Sequence, residues 1–484
     1  MIVAEVSPGK PVHVFESLRK QPYSIFLDSG LNLEGLGRFS LIASDPFLVF
    51  KSKGEQISVL ENGLWETKRG DPFQALRVLM KRYRAESDPR VPLTAGAFGY
   101  FAYDLNRLIE EIPPPAKDDL GLPDCYLGFY DRLLIHDHRT GKSYLTSTGL
   151  PERGRQAEIR AEQRLRELQQ ILCCEQKNSP VPGEIFSDNS GRGNNKPGGL
   201  TEIYGHFTAD SYCTAVKQLQ KYIDSGEISE AILSQRFSCR LTECPWQLYL
   251  ELRRINPAPF AAYLHYPELD LACASPERLV KVENRRVESR PIKGTRPRGK
   301  NTAEDLLLRE ELLQSEKDRA ELALITELGC SELRRICSDD SVEVLEQFGL
   351  EEHPTVFHLV STVRGKLAPD KDLVDLLLAT FPGASISGAP KKRAMEIIEQ
   401  LEPVKRGIYT GSIGYLGFNG AADLNTVIRT FIIKDNRAYF QVGGGIIDRS
   451  EPEAEFQETM TKARALLEAL GYREGVKICQ ELPG

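Results

Sequence analysis

SPERLVKVENRRVESRPIKGTRPRG, residues 275–299, is the stretch on which the fold turns. Apolar residues run through LVKV, the polar ENRR interrupts them, and VESRPI resumes, so a β-hairpin is predicted. Glu277 sits just before the first strand and Lys293 just after the second. Pairing of the two strands would make Glu277 and Lys293 neighbours. A lysine beside an acid, among glycines, can act as nucleophile with a general acid at hand. The same two residues also suit a solvated salt bridge on a surface hairpin, and spacing alone does not separate the two.

Working outward, SIFLDSG, FSLIASDPFLVF and GAFGYFAYDL are rich in Ile, Leu, Phe and Tyr and bounded by Gly, Pro and Asp. They are predicted strands. Leu165, Leu168, Ile171 and Leu172 lie at helical spacing among charges, which predicts a helix over 152–175. Residues 176–202 are rich in Gly, Pro, Ser and Asn, with little to bury, and are predicted to be a flexible linker. The chain thus divides into an N-terminal region, 1–175, the linker, and a region over 203–484. Thr208 is a candidate N-cap for an amphipathic helix carrying Tyr212, Ala215, Val216, Leu219 and Ile223. Residues 302–328 and a stretch from about Glu453 to Leu470 also read as helical. Strand and helix signals alternate irregularly, which indicates an α+β fold.

Bulk composition narrows the function classes. The net charge of -7 argues against a dominant nucleic-acid surface. Ten cysteines without a CxxC pair suggest reduced thiols of a cytoplasmic protein, not a disulfide framework or a zinc site. Glu5 and Lys10 fall where a signal peptide would keep its apolar stretch, and no run is long enough for a membrane span.

Two carboxylate pairs carry helical spacing: Asp318 with Glu321, and Glu455 with Glu458. Residues i and i+3 share a helix face. Two such pairs facing each other would offer hard oxygen ligands suited to Mg²⁺. Lys462 lies four residues beyond Glu458, on the same face. Either pair alone is better read as an ordinary charged helix surface. GASISGAPKK, 383–392, and GGGII, 443–447, read as glycine-rich turns. The first precedes a helix whose free N–H groups can hold an anion, with Pro390 suited to its first turn. The second lets backbone approach a ligand closely.

SPERL, PIKGTRPRG, HLVSTVRG, FPGASISGAPKKRAMEII, RGIYTGSIGY and GGGIIDRSEPEAEFQETMTKA follow one another in this order. So arranged, with FLDSG, LGRFSLIASDP and GYFAYDL before them, they resemble the chorismate-using enzymes of the anthranilate synthase component I family. The resemblance covers nearly the whole chain except the linker. It implies two layers of antiparallel sheet flanked by helices, with Mg²⁺ on the ring carboxylate of chorismate. Glu321 and Glu458 match metal-binding positions, accompanied by Asp318 and Glu455. Gly294, Thr295, Tyr409, Arg429, Gly443, Gly445 and Lys462 match substrate-binding positions, and His358 one near the leaving hydroxyl.

Lys293 separates subgroups, since aminodeoxychorismate synthases often carry lysine in PIKGT where anthranilate synthases typically have alanine. The resemblance then implies attack of Lys293 on ring C2, with Glu277 as general acid, followed by entry of ammonia at C4. A lysine near a bound cation and other bases can be partly neutral, as this attack needs. The implied product is 4-amino-4-deoxychorismate, a precursor of p-aminobenzoate and folate. None of the cysteines lies in a GxCxG-like turn, so ammonia is expected from a separate glutamine amidotransferase subunit. Two stretches depart from the family. Glu230 in SEAILSQ stands where Gln is common and where water-using members carry Lys. LALITELGCSELRR, 322–335, places Glu327, Ser331 and Glu332 where Asp, Asn and Asp are usual. Ser29 and residues 256–260 resemble parts of the tryptophan pocket of anthranilate synthases.

Overall fold

The computed structural model describes residues 1–31, 36–112, 117–176, 202–353, 356–472 and 478–480. The expected linker falls, apart from its end residues, outside the described residues. Two large sheets of thirteen and twelve described strands are paired almost wholly antiparallel. The first runs from the edge strand Ile2–Val6 through Ile25–Asp28 and Phe260–His265 to Arg437–Ile446 and Glu230–Arg240. The second includes Gly96–Phe101, Ser412–Gly417, Arg278–Glu283 and, at one end, Ile292–Pro297. Both sheets mix strands from before and after residues 176–202; Leu27 pairs with Ala262, and Gly99 with Gly414.

Alternation of side chains explains the layering. In Phe39–Ala43, Leu41 and Ala43 join the core between the sheets, with Phe98, Tyr100, Tyr126 and Tyr266. Ile42, between them, turns to the opposite core, where Phe15, Trp246, Leu252 and Leu466 come from covering helices. A third core lies on the outer face of the second sheet, where Leu76, Leu333 and Leu377 of three helices pack on Phe50, Leu127 and Val363. The architecture is therefore helix, sheet, sheet, helix, as expected. Among the described residues no helix is long and apolar enough to cross a membrane.

The hairpin forms as predicted, with Arg278–Glu283 paired to Arg286–Ser289 across Asn284 and Arg285, both at positive φ. Lys293 does not end this hairpin. It lies in a further strand, Ile292–Pro297, whose register against Val356–Lys366 shifts between Ile292 and Thr295. Gly294, within that irregularity, has φ of 82°. The helix after Thr208 spans Ala209–Asp224, and the Thr208 side chain accepts from the Ser211 N–H in a full capping box. The single helical stretch expected over 302–328 is two helices, Thr302–Gln314 and Glu316–Arg334, because Ser315 leaves the helix and caps the second. Gly443, Gly444 and Gly445 form no turn; they continue the strand Arg437–Ile446, held by pairing with Ala231–Arg240. Pro390 stands just before the helix Lys391–Leu401, as its N-cap residue.

Candidate active site

The two sheets meet chemically at Lys293. Its ammonium donates to Glu230 Oε1 at 2.5 Å and to Glu321 Oε2 at 3.1 Å. Lys293 belongs to the second sheet, Glu230 to the first, and Glu321 to the helix Glu316–Arg334. Gly445 leaves the space that this pair fills. A Cβ there would lie 2.5 Å from Glu230 Oε1 and 2.9 Å from Lys293 Nζ. A Cβ on neighbouring Gly444 would instead lie 3.2 Å from Glu455 Oε2 and 3.6 Å from Glu458 Oε1. The glycine strand thus has Glu230 and Lys293 on one face and the acids of helix Pro452–Ala469 on the other.

Burial works to lower the pKa of Lys293, but the charges of Glu230 and Glu321 outweigh it and hold it raised. Lys293 is therefore an ammonium in this arrangement. Two carboxylates touch the nitrogen, whereas the expected partly neutral amine is that of a lysine beside a bound cation. Glu277 behaves in the opposite way. Burial raises its carboxyl to about 7, against smaller opposing effects from the Ser385 hydrogen bond and from Lys293. Ser385 Oγ donates to Glu277 Oε1 at 2.6 Å. Glu277 and Lys293 thus influence each other, yet the direct partners of Lys293 are Glu230 and Glu321. A solvated surface pair is excluded, because Glu277 is 7% exposed and the Lys293 side chain 14%.

The second expected pair of acids lies across the glycine strand, with Glu458 within electrostatic reach of Lys293. Lys462 Nζ reaches Glu458 Oε1 at 2.7 Å and the Gly443 carbonyl at 2.9 Å. Lys317, one helical turn before Glu321, acts electrostatically on both Glu455 and Glu458, so the two acidic helices face each other. Asp318 is turned aside. It accepts from Arg296 at 3.1 Å and packs against Gly294, where a Cβ would meet its own Cβ at 2.9 Å. Among the described residues no three acids or histidines stand together as a ready metal cluster. Glu455 Oε2 is nonetheless buried without a hydrogen-bond partner, and burial raises its carboxyl. Such an oxygen fits a hard cation that keeps several of its waters, held by Glu321 and Glu458 with Glu455 alongside.

A second group faces the other side of Gly294. Thr295 Oγ1 and His358 Nδ1 are 2.9 Å apart. His358 Nε2 is buried and has no partner among the described residues. Burial first, then His353 and Arg429, keeps the imidazole pKa well below its ordinary value, so the ring is neutral. Arg429 has φ of 50° and donates to Asn256 Oδ1 at 3.2 Å. Burial lowers its pKa, and no acid among the described residues pairs with it. A half-buried guanidinium without a counter-ion among the described residues suits an anionic ligand. Tyr409 is buried on a loop braced by Arg406, which bonds Glu402, the Ile232 and Ile386 carbonyls and Thr410.

Sequence reasoning missed the parts supplied from far along the chain. Ser385 holds Glu277 from 108 residues away, and Arg406 carries no signal beyond its motif. Glu230 is legible in the sequence as a departure, but its contact with Lys293 spans both sheets and is not local. Ser29, Pro259 and Phe260 all line one cavity of about 590 Å³ between the sheets.

A family model described as chorismate binding enzyme matches residues 25–468. The chain belongs to this family. Among relatives of this chorismate-binding enzyme, anthranilate synthase component 1 of Acetivibrio thermocellus is 38% identical over 95% of this chain and 92% of its own. Aminodeoxychorismate synthase component 1 of Bacillus subtilis (strain 168) is 36% identical over 95% of this chain and 94% of its own. The crystal structure of anthranilate synthase component I from Streptococcus pneumoniae TIGR4 superposes with a TM-score of 0.74 at 33% identity. It covers 90% of this chain and 93% of that one. Relatives of both names thus match over nearly the full length.

Proposed function

We propose that this chorismate-binding enzyme is an aminodeoxychorismate synthase component I, forming 4-amino-4-deoxychorismate from chorismate and ammonia for p-aminobenzoate and folate synthesis. The observation that carries this is Lys293, buried between Glu230 and Glu321 against the glycine strand. Arg429 receives a substrate carboxylate. Neutral His358 offers Nε2 near the leaving hydroxyl, and the flanking Gly443, Gly445, Thr295 and Tyr409 shape the wall. Glu321 and Glu458 are the residues that would hold Mg²⁺, which when bound supplies positive charge to the second substrate carboxylate. Glu277, at about 7, carries the proton that the departing C4 hydroxyl requires. Bond formation from Lys293 to ring C2 needs its ammonium proton to leave first, and Glu230 Oε1 at 2.5 Å is the nearest acceptor. Ammonia then bonds at C4 and the lysine departs from C2.

Ammonia comes from a separate glutamine amidotransferase subunit, as the words component 1 in the relatives' names suggest. A second reading, anthranilate synthase component I, rests on the 38% identical relative of that name. Incubation with chorismate, Mg²⁺ and an ammonium salt separates them. The first predicts a product that a lyase converts to p-aminobenzoate. Fluorescent anthranilate without p-aminobenzoate supports the second.

A further inference from the structure

The buried arginines Arg236, Arg278 and Arg406 are each held by acids: Asp119 takes the first, Asp423 and Glu288 the second, and Glu402 the third. Arg429 is held differently. Its Nη1 donates at 3.2 Å to Oδ1 of Asn256, a neutral acceptor. Asn256 is itself buried, and its own seat is firm. It ends the helix Pro245–Ile255, donating its N–H to the Leu252 carbonyl at 2.8 Å, and Pro257 follows, which cannot extend the helix. The amide has only one way to face. Its Nδ2 donates to the Ala274 carbonyl at 3.2 Å, and a carbonyl only accepts, so Oδ1 is left for Arg429. Ala274 in turn donates its N–H to the Arg429 carbonyl at 3.1 Å. One residue of the strand Asp270–Ser275 thus fixes both the amide and the backbone that carries the guanidinium.

A carboxylate at position 256 would bond the guanidinium as tightly and also cancel its charge, and an incoming anion would have to compete with it. An amide supplies the same direction without the charge. We infer that Asn256 is a positioning residue for the substrate: it aims the Arg429 guanidinium while leaving the positive charge free for a carboxylate of chorismate. This rests on the reading, given above, that Arg429 receives that carboxylate. It does not depend on which atom of the ring is aminated.

Steady-state consumption of chorismate by the full chain, followed whatever the product, is the measurement. Asn256→Asp keeps the side-chain shape and adds the charge. It should raise the KM for chorismate about tenfold or more, with kcat within about threefold of wild type. Asn256→Ala removes the acceptor alone and should raise that KM only about threefold. A merely structural role would lower kcat and melting temperature in both variants without this order in KM. A KM in Asn256→Asp no higher than in Asn256→Ala overturns the inference. A wild-type KM in Asn256→Ala also overturns it, and this variant decides alone where Asn256→Asp does not melt cooperatively. Arg429→Met separates the inference from the reading beneath it. A wild-type KM there contradicts the assignment of Arg429 and the inference with it. A raised KM there beside unaffected Asn256 variants contradicts the inference alone. Chorismate consumed to a product without nitrogen at C4 contradicts the proposed reaction and leaves the role of Asn256 standing.

Discussion

Glu277 and the glycines of the strand carry the sharpest consequences at the scale of single residues. A carboxyl raised from 4.5 to about 7 holds its proton more tightly folded than unfolded. Between those values the native state binds more protons, so Glu277 makes the protein less stable as pH rises from about 4.5 to about 7. The full penalty, on the order of 3 kcal/mol, applies above pH 7. Glu277→Gln removes the titration. Urea unfolding at pH 5 and pH 8 should show the variant gaining on wild type at the higher pH, while turnover falls at least a hundredfold. The glycines divide by what their Cβ would strike. At Gly443 it would meet the Leu233 carbonyl at 2.8 Å, which is backbone and cannot yield. At Gly445 it would meet side-chain tips and no backbone, Glu230 and Lys293 first and Ile232 at 3.4 Å. Gly443→Ala should therefore lose about 1–3 kcal/mol of stability. Gly445→Ala should keep nearly all its stability yet lose at least tenfold in kcat by displacing Lys293. Thermal melts and steady-state kinetics of the two variants check this contrast. The identity of Lys293 was legible in PIKGT, but its charge was not, because Glu230 lies 63 residues away on the other sheet.

Elements explain why some local structure was legible. The hairpin around Asn284 and Arg285 and the capped helix after Thr208 are set by neighbours in sequence, and both form as the pattern predicts. Thr208→Ala should cost about 1 kcal/mol in urea unfolding and leave kcat/KM unchanged, since the cap only satisfies helix N–H groups. In sequence the glycine strand reads as a turn for a physical reason. Three glycines have weak strand preference alone, and their pairing with Leu233, Ser234 and Ile232 is a long-range contact. The displaced Lys293 strand likewise depends on a register shift against Val356–Lys366 that no local pattern announces. On helix Glu316–Arg334 the spacing of Asp318 and Glu321 correctly put them on one side. Only the packing shows that Arg296 takes the first and Lys293 the second.

At the scale of the whole molecule, layered sheets flanked by helices followed from the ordered motifs, whereas strand order did not. In each sheet a block of strands from before residues 176–202 joins a block from after them, at Ile25–Asp28 with Phe260–His265 and at Gly96–Phe101 with Ser412–Gly417. Phe26 of the N-terminal region stacks on Phe15 and packs with Trp246 and Tyr263 from beyond it. Residues 1–175 and 203–484 produced separately should therefore be insoluble or lack cooperative unfolding, and should regain activity when produced together. Either piece alone melting cooperatively would contradict shared cores. The position at which nitrogen joins the ring tests the central claim most directly. Chorismate, Mg²⁺ and ¹⁵N-labelled ammonium should give a product with ¹⁵N bonded to C4 by NMR, and Lys293→Ala should give none. A product carrying ¹⁵N on C2 would contradict it.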